Sequence, residues 1–148
     1  MNAELINELK DSWAYGLLLL QRIYKPILAK YGVTPAEKRI LYGLSKHQEL
    51  SKQDLAKAVV LEPSAITRAM QRLENNKDIK RHVDVNDKRS ILLMLTPKGR
   101  KKIEIIQKEF LDVFKLACHD INDDDIINLA HTLEKLNQKL TNLLEEAS

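Results

Sequence analysis

The chain has 148 residues, 44% of them hydrophobic, and a single cysteine. That supports one compact domain, or a small domain with appended helices, and it excludes an intrachain disulfide and any cysteine-built zinc finger. The formal charge of +3 hides an uneven distribution: residues 51–102 carry 13 Lys and Arg against 6 Asp and Glu, a net of +7, and the remainder carries 11 against 15, a net of −4.

The first segment, residues 3 to about 30, reads as a helix. Leu5, Leu9, Trp13, Leu17, Leu20, Tyr24 and Ile27/Leu28 recur every three to four residues. Pro26 lies inside that pattern and is expected to kink the helix or end it early. Acidic residues near the N-terminus do not suit a signal peptide, and the apolar run Leu17–Leu20 is too short to span a bilayer. The expectation is a soluble cytoplasmic protein without membrane contact.

Gly32 closes this helix. Thr34-Pro35-Ala36-Glu37 opens the next, with Thr34 as N-cap, Pro35 in the first helical position and Glu37 reaching back in a capping box. That helix runs to about Lys46. Ser51 starts a short helix to about Val59, and a second follows from Pro63 to about Asn75. Two strands, Lys80–Val85 and Ser90–Leu95, flank the polar turn Asn86–Asp87–Lys88–Arg89. Thr96-Pro97 begins a helix through about His119. A last helix starts near Asn122, with Asp123, Asp124 and Asp125 where the helix dipole favours acids. A helix pair followed by a basic hairpin offers one helix to a groove of duplex DNA and a second, charged finger beside it. The apolar faces of the terminal helices exceed what the basic middle can cover, and a homodimer resolves the surplus.

Several stretches are shared with a known family: VTPAEKRILYGLS, LSKQDLAKAVVLEPSAITRAMQRLE, the wing signature DKRS at Asp87–Ser90 and LTPKGRK at Leu95–Lys101. From Val33 to Lys101 the chain resembles the MarR family of bacterial winged helix-turn-helix regulators. The resemblance implies a mainly α fold with a small β-wing: a winged helix-turn-helix lobe at 33–96 and a helical dimerisation platform from 1–32 and 97–148. It implies a homodimer gripping a pseudo-palindromic operator in double-stranded DNA, with Pro63–Asn75 as recognition helix, and a repressor relieved by a small ligand. One departure is LENNKDIKR, where Lys77 stands at a position that is usually glycine. This leaves Asn75 or Asn76 to take the left-handed helix end.

On the recognition helix, Ser64 and Thr67 suit phosphate or base contacts, with Gln71 on the same face. Arg68 is the candidate for bidentate guanine readout, and Arg72, one turn later, for phosphate. At the wing tip Arg89 suits a narrow minor groove. Asp87 either orients Arg89 or simply forms the turn. Lys80, Arg81, Lys88 and Lys98 suit phosphate, as do Lys52 and Gln53 at the start of the first helix of the pair.

No catalytic or cofactor-binding motif appears. Cys118, His119 and His131 with Asp123–Asp125 match no common zinc spacing, and Cys118 reads as a small hydrophobe in acidic surroundings. For a small aromatic or phenolic ligand of the kind the family binds, Trp13, Tyr15, Tyr42 and Phe110 are candidate walls and Arg39 the candidate cation. The competing reading is a winged-helix module that binds protein and has no sequence-specific DNA binding; the D-x-R wing speaks against it.

Overall fold

The computed structural model describes every residue from Met1 to Ser148. Helix α1 spans Ala3–Lys30, with the Asn2 side chain accepting from the amide of Leu5. It continues through Pro26 for another turn, so the proline does not end it early. Gly32, at φ 64°, ends it, with the amides of Gly32 and Val33 returning to Ala29 and Leu28.

Helix α2 spans Pro35–Ser45. The Thr34 hydroxyl accepts from the amide of Glu37 at 3.1 Å, as expected of a cap. The other half of the capping box does not form. Glu37 is only 2% exposed, and its carboxylate is taken by Arg72 instead. A charged partner holds a carboxylate cut off from water more strongly than a single amide does.

Helix α3, Lys52–Val59, is capped by Ser51 and ends on Val60 in the left-handed conformation, φ 51° and ψ 52°. Helix α4 occupies Pro63–Asn75, as the sequence predicts. Strands β2 (Ile79–Val83) and β3 (Ile91–Leu95) pair antiparallel from Ile79↔Leu95 to Val83↔Ile91. They stop short of the predicted Val85 and Ser90 because the tip has its own hydrogen bonds. The Asp84 amide bonds the Ser90 carbonyl, and the Asp84 and Asp87 carboxylates accept from the amides of Asn86 and Arg89. A strand not predicted from sequence, β1 (Leu50–Ser51), covers the other edge of β3, giving the order β1-β3-β2.

Helices α5 (Pro97–Ala117) and α6 (Asp123–Ala147) complete the chain. The core is contributed by α2, α3, α4, β3 and α5, with Ile40, Leu44, Leu55, Ile66, Leu73, Leu93 and Ile106 at most 1% exposed. The chain divides into two compact units, Met1–Phe110 and Leu111–Ser148. In the second unit α6 has no buried residue. No helix is long and apolar enough to cross a membrane.

Candidate nucleic-acid interface

Helix α4, expected from the sequence to be the recognition helix, has a clean division of faces. Ile66, Ala69, Met70 and Leu73 are buried; Ser64, Thr67, Arg68 and Gln71 are exposed on the opposite side. Pro63 sits in the first helical position, and Glu62 supplies no side-chain cap. That leaves amides of the first turn open to an acceptor from outside. Arg68 extends from this face with no hydrogen bond or ion pair inside the chain. The Thr67 hydroxyl donates to the Pro63 carbonyl at 3.0 Å and accepts from the amino group of Lys52 at 3.2 Å, which brings Lys52 of α3 against the same face.

Two of the arginines assigned to phosphate from sequence are held by the protein itself. Arg72 pairs with the buried carboxylate of Glu37 at 3.0 Å and reaches the Gly32 carbonyl at 3.4 Å. Arg81 on β2 forms a two-pronged pair with Glu74 of α4, its Nε donating to Glu74 Oε2 at 2.9 Å. Both therefore brace α4 against its neighbours, with one charge of each pair already answered. Lys80 and Lys88 are exposed. Lys98 donates to the carbonyl of Asn76 at 2.6 Å, at the end of α4.

At the wing tip the Asp87 carboxylate accepts from the amide of Arg89 at 3.1 Å and lies 3.7 Å from the Arg89 guanidinium. Both readings of Asp87 have a contact behind them: it shapes the turn and it faces the arginine. The Arg89 side chain is 95% exposed, so nothing but this loose pair restrains it. At the wing's base, His82 of β2 meets Glu49 at 2.8 Å.

The C-terminal end of α4 is set by Lys77 itself and by neither of the asparagines expected to replace the usual glycine. Neither Asn75 nor Asn76 is left-handed; Lys77 is, at φ 62°. The amides of Lys77 and Asp78 return to the carbonyls of Glu74 and Leu73, the paired bonds of a glycine-type helix end made here by a lysine. Asp78 follows, fully buried, with its carboxylate 2.6 Å from the amino group of Lys102 on α5. Thr96 joins the same knot. Its hydroxyl donates to the Lys77 carbonyl at 2.7 Å and accepts from the Gly99 amide at 3.0 Å. A Cβ on Gly99 would lie 1.9 Å from the Asp78 carbonyl oxygen, so LTPKG needs its glycine to let α5 approach the end of α4.

A cavity of about 680 Å³ opens between α1, α2 and Phe110 of α5. Tyr24 and Phe110 stack at its wall, ring centroids 3.7 Å apart. Lys25, Lys38 and Arg39 also line it, and no carboxylate does. Burial, and then the charge of Arg39, hold the Lys38 amino group below its ordinary range. Burial pushes the Tyr24 hydroxyl up. Of the candidate ligand residues, Arg39 and Phe110 line this cavity and Trp13 and Tyr15 do not. Tyr42 lies behind the lining, its ring 5.0 Å from the Lys38 amino group.

Comparison with known proteins agrees with this geometry. Residues 22–106 match the model of the family described as transcriptional regulator SarA/Rot. The HTH-type transcriptional repressor MdtR of Bacillus subtilis is 32% identical over 123 residues, covering 81% of this chain and 79% of that protein. The chain belongs to the MarR/SarA family of winged helix-turn-helix transcriptional regulators. Among solved MarR-type structures, a MarR family protein from Bacillus stearothermophilus superimposes with a TM-score of 0.82 at 25% identity, covering 95% of this chain and 99% of that one. NadR in complex with 4-hydroxyphenylacetate superimposes with a TM-score of 0.76 at 25% identity, covering 86% and 91%. This MarR/SarA member is thus a DNA-binding transcriptional regulator and not an enzyme.

Sequence reasoning missed Tyr24, Lys38, Glu37 and Asp78. Tyr24 carried a signal, since it stands in the α1 apolar periodicity. Glu37 and Asp78 carried none: a carboxylate that will be buried looks in sequence like one that will not.

Proposed function

We propose that the protein is a dimeric, sequence-specific repressor that reads a pseudo-palindromic operator with Arg68 and Arg89 and is relieved by a small aromatic anion or phenol. The observation that carries the reading is the contrast among the arginines. Arg72 and Arg81 are committed to Glu37 and Glu74, whereas Arg68 has no partner within the chain and the wing's Arg89 is restrained only by the loose pair with Asp87. Ser64, Thr67, Gln71 and Lys52 support Arg68 in the major groove, and Lys80 and Lys88 neutralise phosphate beside the wing. Dimerisation through 1–32 and 97–148 is supported by Leu5, Leu18 and Ile23 on α1 and Leu129, Leu143 and Leu144 on α6, all 47% or more exposed. The anion is supported by the three cations and stacked rings of the cavity.

Selection of sites from a random DNA pool tests this with the full chain. Arg68→Ala should lose about 1–3 kcal/mol on the preferred site and relax one base pair per half-site. Arg89→Ala should blur only an A·T-versus-G·C preference at the flanks. No sequence enrichment by the wild-type chain, together with affinity insensitive to salt, would favour the protein-binding module. Light scattering at micromolar concentration should give twice 17.0 kDa.

A further inference from the structure

We propose that Arg39 is the switch by which an anion in the α1–α2 cavity loosens the DNA-reading end of α4. The inference rests on the ligand reading above and adds how the signal leaves the cavity. Arg39 stands on α2 with its guanidinium shared between two places. It lines the cavity, and its Nη2 donates to the carbonyls of Val59 and Val60, the latter at 2.6 Å. These carbonyls belong to the C-terminal end of α3, where orphan acceptors and the negative end of the helix dipole favour a cation.

The turn that Arg39 clasps cannot easily hold itself. Val60 is β-branched and left-handed, at φ 51° and ψ 52°. Such a residue keeps that conformation only when its surroundings impose it. Only Leu61 and Glu62 separate it from α4, and Glu62 caps nothing. The direction of the first turn of α4, which carries Ser64, Thr67 and Arg68, therefore depends on the clasp. A carboxylate placed in the cavity finds Lys25, Lys38 and Arg39 and no competing acid. It draws the guanidinium off the carbonyls. Val60 then relaxes toward an ordinary backbone region, and α4 loses its set direction. By linkage, DNA must weaken the anion by the same factor that the anion weakens DNA.

The test uses the full chain, the DNA site it selects, and 4-hydroxyphenylacetate as probe. With no anion present, Arg39→Met should weaken DNA binding about fivefold or more, a coupling of ordinary size. Adding Val60→Gly should restore most of the loss, because glycine holds the left-handed turn without help. Wild-type affinity in Arg39→Met, or no rescue by glycine, overturns the clasp. With the anion at saturation, the wild-type chain should lose DNA affinity at least about fivefold and Val60→Gly less than about twofold. Full loss retained in Val60→Gly overturns the switch and leaves the ligand reading intact, and calorimetric binding of the anion with no loss of DNA affinity overturns the switch together with relief by the ligand, leaving only an anion-binding cavity. No calorimetric binding to the wild-type chain overturns the ligand reading and the switch with it, and the rescue still decides the clasp.

Discussion

At its C-terminal end α4 is tied down by buried Asp78 on Lys102, by Gly99 pressed to the Asp78 carbonyl, by Thr96 on Lys77, and by the flanking pairs Arg72–Glu37 and Arg81–Glu74, whose arginines are partly exposed. At its N-terminal end the same helix has no side-chain cap and follows the left-handed Val60, whose carbonyl shares the exposed Arg39 guanidinium with the carbonyl of Val59. The locked end carries no free cation of α4, since Arg72 is paired within the chain. The lightly held end carries Arg68. On the proposed function, a helix built this way is re-aimed from the end that meets DNA and keeps its seat in the lobe.

Three substitutions break or sharpen this contrast. The largest effect should come from Lys102→Ala, which leaves the Asp78 carboxylate buried and alone. Removing one partner of such a pair costs about 3–5 kcal/mol. Urea denaturation read by circular dichroism measures it, and a loss below about 1 kcal/mol would mean that the C-terminal end is not locked as described. Next is Arg72→Ala. It strips the partner from buried Glu37 and should cost about 1–3 kcal/mol of stability. The salt dependence of DNA binding should hardly change. If the slope of log affinity against log salt instead drops by about 0.9, Arg72 reaches phosphate and the division among the arginines is wrong. Smallest is Lys77→Gly, which removes the strain of a left-handed lysine and should stabilise by about 1 kcal/mol. Thermal melting that shows destabilisation would indicate that Lys77 makes contacts worth more than its backbone strain.

Gly32 and Lys77 show how far the sequence could be followed. Both end helices in the left-handed region with the same pair of returning amides. Gly32 was readable because glycine announces that conformation. Lys77 was not, because any residue can be forced there once Asp78, Thr96 and Lys98 fasten the backbone on either side. Pro26 misled in the opposite direction. Its place inside α1 suggested a kink or an early stop, and the stop does not occur, since the helix runs on to Lys30.

Local chemistry written in neighbouring residues determined the helices and the hairpin. Thr34 and Ser51 supply caps, Pro35 and Pro63 mark first turns, and alternating faces separate Ile66 and Leu73 from Thr67 and Arg68. These signals act over three or four residues, and tertiary packing left them in place except at Glu37, drawn out of the capping box by Arg72. Only the folded chain decided which charges stay free. Glu37 meets Arg72 across 35 positions and Asp78 meets Lys102 across 24, and β1 exists only because β3 offers it an edge. A side chain's charge is visible in sequence; whether that charge faces water or a buried partner depends on what the fold brings beside it.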